Sequence, residues 1–122
     1  MMTNVFREAR DVLHEFGYHL DDVKWVGSQD GYFAMSIDEF IRSFGKLDYD
    51  SGLGAQVLPT DLVMVVDDSH WFSRHEYDGA EEWRLNTAPV KRPDSHHFSK
   101  IMSEWRWATL EETQYGEEDG NV

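Results

Sequence analysis

The chain predicts an α+β protein, a single domain in which an antiparallel sheet of about five strands packs against two or three helices. Three observations carry this expectation. Apolar residues recur at helical spacing between Val5 and Phe16. From Val23 to Leu85 most apolar runs are short and strand-like, with one helical stripe between them. Asp30-Gly31 and Asp78-Gly79 lie between such runs, and Asp-Gly suits a tight hairpin because both residues tolerate a positive φ.

In the first segment Val5, Phe6, Ala9, Val12, Leu13 and Phe16 form a helical stripe, with Thr3 as the expected N-cap and Gly17 as the stop. The runs 23–26 and 32–35 flank Ser28-Gln29-Asp30-Gly31 and read as two strands of a hairpin. Ser36-Ile37-Asp38-Glu39 is a capping box, and Ile37, Phe40, Ile41 and Phe44 continue it as the buried stripe of a short helix ended by Gly45. The stretch 48–54 reads as a glycine-bearing loop, followed by a short strand over 55–58 that Pro59 closes. Leu62 to Val66 is apolar on both alternating faces, as a central strand requires. His70 to Tyr77 alternates, with Trp71, Ser73, His75 and Tyr77 on one face. Asp78-Gly79 turns the chain into Glu82–Leu85, completing a three-stranded meander. Finally, Phe98, Ile101, Met102 and Trp105 at i, i+3, i+4 and i+7 predict a third helix opened by Asp94 or Ser95, with a strand through Trp105-Arg106-Trp107 as the alternative.

The composition sets the functional expectation. Against 24 Asp and Glu stand 11 Lys and Arg, a formal net charge of −13. Such an imbalance opposes compaction, so it signals a property other than stability: solubility, exclusion of nucleic acid, or attraction to a basic partner. Hydrophobic residues at 40% nevertheless exceed what an acidic disordered chain carries. The compact domain is expected over residues 1–108, and residues 109–122, with acidic but no basic groups, form an expected mobile tail. Cysteine is absent, which excludes disulfides, thiolate metal ligands and cysteine nucleophiles. The apolar run Leu62–Val66 is too short to span a bilayer, and Arg7, Glu8, Arg10 and Asp11 interrupt any signal-like stretch, so a cytoplasmic protein without membrane contact is expected.

No motif anchors a reaction. A calcium loop beginning at Asp48 would place Leu53 and Pro59 where glycine and glutamate are required. Asp67, Asp68, His70, His75, Glu76 and Asp78 have the chemistry of a metal or acid–base site, but on a strand His70 and His75 point to opposite faces. His96-His97 diverge by about 100° on a helix. There is no Gly-x-Ser-x-Gly elbow, and Gly52-Leu53-Gly54 is too little for a phosphate loop. No catalytic residue, metal ligand or cofactor is therefore assigned.

The stretches Tyr49-Asp50-Ser51-Gly52-Leu53-Gly54, Asp61-Leu62-Val63 and Trp71-Phe72-Ser73-Arg74-His75-Glu76-Tyr77-Asp78-Gly79-Ala80-Glu81-Glu82-Trp83 resemble small uncharacterised proteins of phages and mobile elements, over residues 25–89. The resemblance extends to the class that contains acidic anti-CRISPR and anti-restriction inhibitors, which present carboxylates where a nuclease expects phosphates. It implies residence in the cytoplasm of the infected or host bacterial cell.

The leading expectation is a non-enzymatic acidic inhibitor that occupies a positively charged nucleic-acid channel on a basic host protein, such as a CRISPR effector or restriction nuclease, without binding nucleic acid itself. Expected contacts are Asp21, Asp22, Asp48, Asp50, Asp67, Asp68, Glu81, Glu82, Glu111 and Glu112, with Trp105 and Trp107 as aromatic anchors. Two rivals stay open: a small accessory enzyme or ligand-binding protein built on the polar segment 67–78, and a structural assembly module. The oligomeric state is open as well.

Overall fold

The computed structural model describes residues 2–52, 54–104 and 106–119. It is an α+β fold whose described residues form two compact units, Met1–Pro89 and Val90–Val122. The first holds a short strand β1 (Met2–Asn4), helix α1 (Val5–Glu15), a 3-10 turn (Leu20–Asp22), β2 (Trp25–Ser28), β3 (Ala34–Met35), helix α2 (Ile37–Phe44), β4 (Asp48–Asp50), β5 (Leu62–Val65), β6 (His70–Tyr77) and β7 (Ala80–Thr87). The main sheet is antiparallel in the order β3-β2-β5-β6-β7, while β1 and β4 pair separately.

Register builds the core. Val26 lies opposite Met64, Met64 opposite Phe72, and Phe72 opposite Leu85, so one sheet face carries a continuous apolar row. Ala9 and Leu13 of α1 and Ile37 and Phe40 of α2 pack on this face. The 3.6-residue period of α1 buries Val5, Ala9 and Leu13 and leaves Arg7, Asp11 and Glu15 exposed on the opposite side. Fully burying a side chain such as Phe72 contributes about 1.5–3 kcal/mol.

Most of the predicted boundaries hold, and the departures have local causes. Asp78 and Gly79 both take positive φ, 52° and 88°, the conformation of a two-residue hairpin turn. Helix α1 is capped by Asn4, whose side chain accepts from the Arg7 N–H at 2.9 Å, because Thr3 is held in β1 opposite Tyr49. The strand expected over 32–35 shrinks to Ala34–Met35: the Asp30 carboxylate takes the Tyr32 N–H and the Ser28 hydroxyl takes the Phe33 N–H, which bends the backbone out of the ladder. No strand forms over 55–58, where the Glu81 carboxylate accepts from the Val57 and Leu58 N–H groups. Part of the expected loop 48–54 is instead strand β4.

The second unit corrects the third helix. Residues 95–104 are not helical, and Ile101 and Met102 are exposed. The Gln114 carboxamide accepts from the Ser99 and Lys100 N–H groups and donates to the Lys100 carbonyl, giving this backbone side-chain partners in place of a helical ladder. The helix of this unit is α3 (Leu110–Asp119), opened by a reciprocal box in which the Thr109 hydroxyl accepts from the Glu112 N–H and the Glu112 carboxylate accepts from the Thr109 N–H. It lies within the segment expected to be a tail. Arg106 and Trp107 form no strand, and Trp105 lies outside the described residues.

Candidate partner-binding cleft

Strand alternation puts Arg74 on the same face of β6 as Phe72, so a cation is carried into the core. Its side chain has no solvent exposure, and the surrounding elements supply its partners. Nη1 donates to Glu8 of α1 at 3.0 Å. Nη2 donates to the Tyr49 hydroxyl of β4 at 2.7 Å and to Glu81 of β7 at 2.8 Å. The guanidinium also lies over the Trp83 ring, 4.7 Å from its centroid. Tyr49 in turn donates to Glu8 at 2.6 Å. Burial opposes the charge on Arg74, but the hydrogen bond it donates to Glu81 and the charge of Glu8 outweigh it and hold its pKa above the ordinary value. Burial, reinforced by the Glu8 carboxylate, pushes the Tyr49 hydroxyl well above the usual phenol range.

Glu8 is the outermost member of this cluster and borders an open cleft of 530 Å³. Helical spacing of i, i+4, i+8 brings Arg7, Asp11 and Glu15 to one side of α1, and all three line the cleft. Asp48 of β4 and Glu82 of β7 complete it, so five carboxylates and a single guanidinium surround the opening. Three of these groups have close partners: Glu8 is tied to Arg74 and Tyr49, Asp11 accepts from Arg10 at 3.1 Å, and Asp48 accepts from the Asn4 side chain at 3.0 Å. Glu82 is well exposed, its one ion pair being a 3.7 Å contact with Arg84. Such an arrangement attracts cationic side chains, and its field adds to that of the whole chain.

The expected contact residues distribute unevenly. Asp48 and Glu82 meet at the cleft. Asp50, on the same strand as Asp48, accepts from the Gly52 N–H at 3.0 Å. Asp21 and Asp22 lie on the 3-10 turn, where Asp22 accepts from the His19 N–H. Asp67 and Asp68 occupy the β5–β6 turn. Glu81, expected at the surface, is buried, because Arg74 and two backbone N–H groups take its carboxylate. Glu111 and Glu112 are exposed on α3 in the second unit, Glu112 as part of the helix cap. Trp107 is 99% exposed, and Trp105 lies outside the described residues.

The polar segment 67–78 is likewise divided. Asp67 pairs with His70 Nδ1 at 2.9 Å, and this hydrogen bond, with that from the Ser69 N–H, holds the Asp67 carboxyl below its ordinary range. His75 points to the other strand face, while Glu76 and Asp78 are exposed. Among the described residues no group of three or more His, Asp or Glu side chains is placed to hold a metal ion. No helix among them is long and apolar enough to cross a membrane.

Sequence reading missed Glu8, Asp11 and Glu15 as cleft residues and Arg74 and Tyr49 as their support. The signals were present in the i, i+4 spacing of α1 and in the alternation that sets Arg74 beside Phe72. In comparisons with protein-family models, curated proteins and solved structures, nothing matched.

Proposed function

We propose that the chain is a non-enzymatic acidic inhibitor that binds the positively charged nucleic-acid site of a host defence protein, in the manner of anti-CRISPR and anti-restriction nucleic-acid mimics. Lys and Arg side chains that would neutralise phosphates pair instead with the cleft carboxylates, of which Asp11, Glu15, Asp48 and Glu82 are exposed. The observation that supports this reading is the convergence of carboxylates from α1, β4 and β7 on one cleft, whose described lining holds five carboxylates and one guanidinium, that of Arg7. The underlying Arg74 cluster holds the three elements in place, so the partner meets a preorganised acidic surface.

Cleavage assays with a panel of CRISPR effectors and restriction endonucleases test the proposal. Inhibition is expected to weaken steeply with salt, to be competed by the nuclease's own substrate, and to be lost when Asp11 and Glu82 are both changed to Lys. Inhibition that ignores salt and charge reversal, or its absence across the panel, overturns it.

A further inference from the structure

The strongest feature outside the cleft is apolar. Two adjoining cavities of 360 Å³ and 190 Å³ share Phe40, Phe44, Pro59 and Leu62 and so form one trough between α2, the β2–β3 hairpin and the chain entering β5. Phe33 stands at one end and Leu47 at the other, 69% and 55% exposed. The hydrogen bonds from Tyr32 and Phe33 to Asp30 and Ser28 that shorten β3 also hold this aromatic tip outside the sheet. A side chain at Gly27 would overlap the Phe33 carbonyl, so this glycine lets the hairpin fold closely beside the trough. The trough shares no lining residue with the acidic cleft.

Its charge and backbone indicate what it takes. Among the described residues Asp61 is the one charged residue lining either cavity. Phe40 and Phe44 of α2 line the trough and Ile37 and Ile41 do not, and helical phase sets Arg42 on the far side of the helix from Phe40 and Phe44. The charge at the rim is therefore the negative one of Asp61. A second copy of this chain, at −13, would bring like charge to that rim. The neighbouring edge strand β3 has only two residues, too few to bind an extended strand by main-chain pairing. Recognition then falls to apolar side chains entering from one face of a helix.

We propose that this trough is a docking groove for an amphipathic helix of a partner protein, one that inserts two or three large apolar side chains and sets Lys or Arg against Asp61. The inference goes beyond nucleic-acid mimicry, because it adds an apolar anchor independent of the cleft.

Selection of a random twelve-residue peptide library on phage against the full chain tests it, with winning peptides synthesised and titrated. Expected winners carry large apolar residues at i, i+3 or i+4, and i+7 together with Lys or Arg. Their affinity should fall at least tenfold with Phe44→Lys and with Phe33→Lys, two partly exposed positions whose variants are checked for folding by thermal melts. The proposal is overturned by any of three results: no enrichment, winners with acidic flanks or no helical spacing, or equal binding to both variants. Self-association in sedimentation that Phe44→Lys abolishes would assign the groove to a second copy and likewise overturn it. Nuclease inhibition reads the cleft and peptide titration reads the groove, so failure of either proposal is distinguishable from failure of the other.

Discussion

Glu81 and Glu82 are neighbours on β7 with opposite surroundings, and replacing each by Ala separates the effect of burial from that of charge. Both substitutions remove one negative charge from the chain. Glu81→Ala strips a buried partner, 1% exposed, from Arg74 and two acceptors from Val57 and Leu58. Removing one side of a buried pair costs about 3–5 kcal/mol. Arg74 keeps Glu8 and Tyr49, which favours the lower end, while each orphaned N–H costs about 1 kcal/mol unless water reaches it. A total of about 3–5 kcal/mol is thus expected, a large share of a stability of about 5–15 kcal/mol. Glu82→Ala removes a side chain 64% exposed with one 3.7 Å pair to Arg84, and should stay within about 0.5 kcal/mol of the parent. Urea unfolding followed by tryptophan fluorescence gives both values, provided the denaturant slope is unchanged. If the two variants unfold within about 1 kcal/mol of each other, the buried Arg74 cluster does not stabilise the fold as its geometry implies.

Three other outcomes are expected. The Asp67 carboxyl is held low by His70, so the stability it contributes is present above the ordinary Asp pKa and is lost as pH falls through the depressed folded value; Asp67→Asn should lower the Tm above about pH 4, and the difference from the parent should close as pH falls below it. The isolated protein should give no gel shift with DNA or RNA at low salt, because complex formation brings together two surfaces of like charge. Thr109→Ala breaks the box that opens α3 and should cost that helix about 1 kcal/mol, read as lost helical circular dichroism with little effect on the unfolding of the first unit.

The sheet was legible because its signals are local: alternation in β6, apolar continuity in β5 and the Asp78-Gly79 turn each depend on adjacent residues. The third helix was misplaced because two local signals competed. Phe98, Ile101, Met102 and Trp105 satisfy helical spacing, whereas Thr109 and Glu112 satisfy the capping rule, and in the structure the capped segment is helical. Asp94 or Ser95 offered the first segment a cap as well, but its Ser99 and Lys100 N–H groups bond to the Gln114 carboxamide, whereas the reciprocal Thr109–Glu112 box satisfies the start of α3 from both sides. The site was less legible for a different reason. Asp48 and Glu82 could be named as exposed carboxylates, but which acids share a surface depends on how α1, β4 and β7 pack. Glu81 shows the limit most plainly: the alternation that sets Trp83 and Leu85 on one face carries Glu81 inward with them and Glu82 outward, but the cation and backbone N–H groups that receive its carboxylate come from elements whose packing is not written in β7.

The Arg74 cluster also bears on the order in which contacts form. Glu81 lies seven residues from Arg74, across a hairpin whose turn is set by two residues, whereas Glu8 lies 66 residues away. Loop-closure entropy rises with that separation, and hairpins close in about 1–10 μs. The β6–β7 ribbon can thus give the guanidinium a carboxylate and the Trp83 face from local sequence alone, while the contact with α1 must be closed across the length of the unit.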